Sequence, residues 1–264
     1  MSYINPLDNI PVWILFLGAT VVFFIAAELG FRVGKFKHTR LEKGQRPQVA
    51  TILGASFSLL AFFLAFTFNM AVSRYDARKV LVLEETNAIE TTYLRAKLLP
   101  APYDTEFQDL LRKYVNVRAQ LKEDTEMETV RQLIIKSEEL HSRLWAKAVE
   151  LTENSKYSGL TSLFIRSLND VLDLHGKRIT AGLLNRIPVS IFITLYFVAF
   201  LSMAMMGYQA GLTGKRTPIA NFVLILIFSV VLSLISDLER PRQEIFSVSQ
   251  KTMVDLKNKL SRIP

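Results

Sequence analysis

Four apolar runs, Val12–Phe31, Ala50–Val72, Ile187–Tyr208 and Ile219–Ser236, stand as two close pairs on either side of a long charged segment. Each is near the ~20 residues that a helix needs to cross hydrocarbon. A run such as VWILFLGATVVFFIAA is apolar on every face and offers no stripe to water, as a lipid-embedded helix requires. The chain therefore reads as an all-α polytopic membrane protein with four transmembrane helices in two pairs and a helical extramembrane domain between helices 2 and 3. An apolar share of 50%, with 18 Phe, fits a chain that keeps about a third of its residues in lipid.

The pairing sets the expected domain plan. Residues 1–73 hold transmembrane helices 1 and 2 with a basic connecting loop. Residues 74–186 form the extramembrane domain, continuous with helix 2. Residues 187–236 hold helices 3 and 4, and 237–264 form a C-terminal tail that packs on the extramembrane domain. Nothing breaks the second helix where it leaves the bilayer, because NMAVSRYDARKVLVLEETNAIETTYLRAKLL has no Gly or Pro before Pro100. One helix is predicted from about residue 50 to 98, some ~70 Å at 1.5 Å per residue. Pro100 and Pro102 end it. Phe107, Leu110, Leu111, Tyr114, Val115 and Leu121 then recur at steps of three and four, which predicts an amphipathic helix. Glu126–Glu153 and Leu160–Leu184 repeat the pattern, separated by a break at Ser158 and Gly159.

The net charge of +8 is concentrated in two short loops. Between Arg32 and Gln48 six basic residues (Arg32, Lys35, Lys37, Arg40, Lys43, Arg46) face Glu42 alone, and Gln209–Pro218 adds Lys215 and Arg216 without an acid, so the two loops supply +7. The segment from Arg74 to Arg186 carries 18 basic and 17 acidic residues and lacks the basic stripe of a nucleic-acid binder. Short loops rich in Lys and Arg stay in the cytoplasm, and the first helix weighs most. That places the central domain outside, in a periplasm. Arg74, Arg78, Lys79, Lys177, Arg178, Arg186, Arg240 and Arg242 at the opposite helix ends pull the other way.

Three segments, FLAFTFNMAVSRYDARK, VLEETNAIETTYLRAKLLPAP and SDLERPRQEIFSVSQ, carry a resemblance over nearly the whole chain to the bestrophin-like family of bacterial membrane proteins, named for a proposed relation to bestrophin anion channels. Its markers are Arg74, Asp76 and Arg78 at the second helix exit, Asn87, Ala88 and Ile89 beyond it, and Asp237, Arg240 and Pro241 after the fourth helix. The resemblance implies a homo-oligomer of the bacterial inner membrane, a pentamer in bestrophins, with a pore lined by the second helix and small anions as partners. Ser58, Phe62, Phe66 and Met70 share one face of that helix, with Asn69 beside it. Phe62 and Phe66 then read either as a hydrophobic constriction or as side chains that pack against other helices. Two features depart from bestrophins: no acidic cluster like their calcium clasp follows the fourth helix, and their large domain is cytosolic.

Polar residues near the bilayer have a simple expected use. Glu28 and Arg32 are read as an i, i+4 pair. Asn69 needs a hydrogen-bonding partner on a neighbouring helix or in a lumen. Gly207 and Gly211 have the spacing that lets helices approach closely, or mark a flexible turn. Arg74, Asp76 and Arg78 are expected at the level of Asp237, Glu239, Arg240 and Arg242, either as a charge belt or as interfacial anchors.

No enzyme is read here. His38, His141 and His175 are far apart in sequence and read as surface residues, Glu84 and Glu85 read as a solvated helix face, and no metal or cofactor motif is present. Two functions stay open: an oligomeric small-anion channel, and a non-transporting sensor or scaffold whose helical domain binds a ligand or partner.

Overall fold

The computed structural model describes residues 10–37, 45–121, 125–153, 158–214, 216–240 and 248–262. His38, Arg40, Lys43, Lys215, Pro241 and Arg242, singled out above, lie outside them. Among the described residues the fold is all-helical: α1 (Val12–Lys37), α2 (Gln45–Ala96), α3 (Tyr103–Arg118), α4 (Met127–Glu153), α5 (Ser158–Ile179), a π-helical turn (Thr180–Leu184), α6 (Val189–Thr213), α7 (Pro218–Glu239) and α8 (Lys251–Ser261). The four apolar runs fall on α1, α2, α6 and α7, each long and apolar enough to span a bilayer. Helix α2 is unbroken over 52 residues: Pro47 lies in its first turn, where no helical hydrogen bond is lost, and beyond Gly54 no Gly or Pro interrupts it. Helix α6 runs to Thr213, so half of the expected Gln209–Pro218 loop is helical; it stops at Gly214, whose φ of 67° suits a residue without a Cβ. Pro218 opens α7, where its missing N–H has no helical partner to lose.

Two compact units divide the chain. The first, residues 1–74 and 186–246, contains α1, the N-terminal part of α2, α6 and α7. Its organising contact is the meeting of α1 and α6 at backbone distance. A Cβ built on Gly207 would sit 1.8 Å from the Ala27 carbonyl oxygen, and one on Gly30 would sit 1.9 Å from that of Ala204. Gly34 and Gly211 repeat the arrangement one turn on, at 2.2 Å from Tyr208 O and 2.3 Å from Phe31 O. Two small-xxx-small motifs, Gly30/Gly34 and Gly207/Gly211, therefore face each other, and only glycine fits at the four positions. Around this seam Phe23, Ala26, Leu195, Ala199 and Met203 are buried, while Trp13, Phe24, Ile193 and Phe197 point outward, as residues facing lipid do.

The second unit, residues 75–185 and 247–264, contains the remainder of α2, helices α3 to α5 and α8. Each of its helices buries one stripe and turns a charged face to water. Tyr93, Phe107, Tyr114, Leu144, Leu151, Phe164, Leu168 and Met253 fill the core, with the Phe107 and Phe164 rings 4.4 Å apart. Thr92 Oγ1 donates to the Ser167 carbonyl at 2.9 Å and ties α2 to α5 inside this core. Met253, Leu256 and Leu260 of α8 complete it.

Candidate functional site

In the first unit α2 has two unlike faces. Leu60, Leu64, Thr67 and Ala71 are buried and share one side of the helix. At 100° per residue, Ser58, Phe62, Phe66 and Asn69 fall about 180° away. All four are exposed, Phe62 at 65% and Phe66 at 55%, and Met70 sits half-buried on the flank between the faces. Ser58 Oγ donates to the Gly54 carbonyl within its own helix at 2.9 Å, so it satisfies itself without a neighbour. Among the described residues Asn69, which is exposed, has no side-chain hydrogen bond, so its amide is open to a partner or to water.

Charged groups close the same unit at the end of α7. Arg74 Nη1 lies 3.2 Å from Glu239 Oε1, which also accepts the Ile187 backbone N–H. Arg240 Nη1 donates to the Ile10 carbonyl at 2.6 Å. Asp237 and Arg240 are buried rather than extended into water. Asp76 and Arg78 belong to the second unit, the first exposed and the second buried. At the other end of α1, Glu28 takes Arg32 Nε at 3.1 Å as expected, and also Arg216, whose guanidinium lies 3.9 Å over the Phe31 ring.

The second unit holds a polar cluster that corrects the reading of Glu85 and His175 as solvated, with His141 half-buried beside them. Glu85 is fully buried. Its Oε1 accepts Tyr114 Oη at 2.8 Å and lies 2.9 Å from Arg118 Nε as an ion pair; its Oε2 accepts Arg118 Nη2 at 3.2 Å and Arg178 Nη1. Arg178 Nη2 reaches on to Gln250 Oε1 at 2.6 Å, just before α8. His175 Nδ1 lies 3.2 Å from Tyr114 Oη, and the His141 ring stands edge-on to His175 with centroids 4.5 Å apart. Burial alone would raise the Glu85 carboxyl, but the two guanidiniums outweigh it and hold it at about 2. Burial first, and then the Arg118 charge, push His141 down to about 4 and His175 to about 3. Both rings are neutral at pH 7.

A sequence signal for this cluster existed. Glu85 lies in register with the buried α2 stripe of Val82, Thr86, Ile89 and Tyr93, one residue from the exposed Glu84, and His175 lies one turn beyond buried Val171. A charge in a core register is a charge with partners. Among the described residues no group of three or more His, Asp or Glu is placed to hold a metal ion.

A family model described as the bestrophin-like domain matches residues 19–253. The chain belongs to that family. Among solved structures, a bacterial bestrophin homologue from Klebsiella pneumoniae in one mutant form superposes with a TM-score of 0.68 at 16% identity, covering 95% of this chain and 97% of that one. A second mutant form gives 0.68 over 92% and 96%. A crystal structure described only as a membrane protein gives 0.64 over 95% of each chain, also at 16% identity. At this identity the likeness is one of fold. A search of curated proteins gives no match.

Proposed function

We propose that this bestrophin-like protein is a homo-oligomeric small-anion channel whose pore is lined by the open face of α2, with Ser58, Phe62, Phe66 and Asn69 toward the lumen and Met70 at its flank. The observation that carries the reading is that face itself: two large exposed rings one turn apart beside an exposed amide with no side-chain hydrogen bond among the described residues. Lipid would suit the rings and not Asn69; a ring of identical chains around water suits both. In that ring Phe62 and Phe66 narrow the lumen to an apolar neck, and the family's relation to bestrophins supports anions as the permeant class. The resemblance further suggests a pentamer. No reaction is assigned to the chain.

Chloride efflux from proteoliposomes tests the proposal. Flux through the wild type should fall roughly tenfold or more in Phe66→Glu, because a ring of carboxylates in an apolar neck repels anions from a constriction with little water to screen it. Flux that is unchanged in both Phe66→Glu and Phe62→Glu would place these rings against lipid. A wild-type protein that assembles but carries no flux would favour the sensor or scaffold, in which the unbroken α2 transmits what the helical unit binds.

The side of the membrane is proposed from charge: the helical unit outside, opposite the basic α1–α2 loop. A single cysteine in place of Met127, at the start of α4 in this Cys-free chain, reports it. Membrane-impermeant maleimide should label intact cells. Labelling only after lysis would instead place the unit in the cytosol.

A further inference from the structure

We propose that the His141–His175 pair, seated on Tyr114, Glu85 and Arg118, is an acid-operated latch that joins α2, α3, α4 and α5 while both rings are neutral and releases them when the rings take up protons. The inference is independent of ion conduction.

Hydrogen bonding fixes the state of the latch. Tyr114 has one hydroxyl proton, and it points to Glu85 Oε1 at 2.8 Å, an ionised oxygen that can only accept. The Tyr114 oxygen must then accept from His175 Nδ1, at 3.2 Å, so His175 carries its proton on Nδ1. Its Nε2 is left as a bare lone pair, buried and without a partner, and His141 Nε2 is likewise buried and unpartnered. A proton arriving at either nitrogen would find no acceptor.

The surrounding charges make that proton worse placed. Facing the rings are Glu85 from α2, Tyr114 and Arg118 from α3 and Arg178 from α5, with Gln250 of the α8 approach on the far side of Arg178. Two guanidiniums already share the one carboxylate, so an imidazolium here would be a third cation against a single anion. Protonation is therefore accommodated only by separating the helices and admitting water.

The sign follows from the direction of the shifts. Each ring has an ordinary value of 6.5 and is held near 4 (His141) or 3 (His175) in the closed unit. A depressed histidine stabilises the closed form fully above 6.5 and loses that contribution as pH falls toward its folded value. Between pH 7 and pH 5 each ring should raise the opening equilibrium ~20-fold, and the pair ~400-fold. Glu85, held at about 2 against an ordinary 4.5, loses its contribution only below that window.

Hydrogen exchange read by mass spectrometry on the full-length protein in detergent, at pH 7 and pH 5 and corrected for intrinsic rates, tests the latch. Protection over residues 107–118, 133–151 and 164–175 should fall ~400-fold at pH 5, while residues 19–34 of α1 hold theirs. His141→Gln, which removes a ring that makes no hydrogen bond, should leave a ~20-fold fall, and the further change His175→Gln should abolish it. A wild-type fall below about fivefold, or an equal fall in His141→Gln, overturns the proposal.

Discussion

Replacing Gly207 with Leu should abolish the native packing of α1 on α6 and remove most folded protein from the membrane fraction. The smaller change Gly207→Ala already places a Cβ 1.8 Å from the Ala27 carbonyl oxygen and 2.9 Å from the Phe31 amide nitrogen. Both are backbone atoms of a helix that cannot turn away as a side chain would, so the two helices must separate along their whole seam. Overpacking of this kind costs about 3 kcal/mol or more, and dispersion contacts between α1 and α6 are lost with it. In a detergent-solubilised thermal melt, Gly207→Ala should lower Tm by roughly 10 °C. Gly18 supplies the control: it lies in the same helix as Gly30, and a Cβ there meets nothing within 4 Å. Gly18→Ala should be neutral or slightly stabilising. A Gly207→Ala melt within about 2 °C of the wild type would show that α1 and α6 do not meet at this seam.

This seam also shows how far a single sequence can be read. The Gly207/Gly211 spacing is visible in α6, and Gly30/Gly34 has the same spacing in α1. What pairs them is knowledge that the first and third membrane helices are neighbours, and no local pattern contains that. The spans themselves are legible because hydrocarbon imposes length and all-round apolarity on each helix separately. The continuity of α2 past the bilayer is legible too, since between Gly54 and Pro100 the chain has no Gly or Pro to break a helix. The buried cluster is not local at all: its members stand on four helices, separated by 29 residues from Glu85 to Tyr114 and by 93 from Glu85 to Arg178. Beside Glu84, Glu85 looks like half of a solvated acid pair. Only the three- and four-residue register of its apolar neighbours distinguishes the buried acid from the exposed one.

The second large effect belongs to that acid. Glu85→Gln should destabilise the helical unit by about 3 kcal/mol or more, because it leaves Arg118 and Arg178 buried around a neutral amide. The shift of the carboxyl from 4.5 to about 2 gives the same scale, since 2.5 units at 1.36 kcal/mol each come to about 3 kcal/mol at pH 7. The contribution is present above pH 4.5 and lost as pH falls through 2, so at neutral pH the wild type has all of it. A melt followed by circular dichroism should show a loss of roughly 10 °C, against less than about 2 °C for Glu84→Gln one residue away on the exposed face. The amide can still accept from Tyr114 and one guanidinium, so the deficit is one of charge rather than of hydrogen bonds alone. Pairing Glu85→Leu with Arg118→Met tests this directly. Removing the buried carboxylate together with its most buried partner should recover more than half of the stability lost in Glu85→Leu alone, because Arg178 retains Gln250 and partial access to water. Additive losses in the double variant would mean that Glu85 and Arg118 act independently and that the cluster is not held together by their charge.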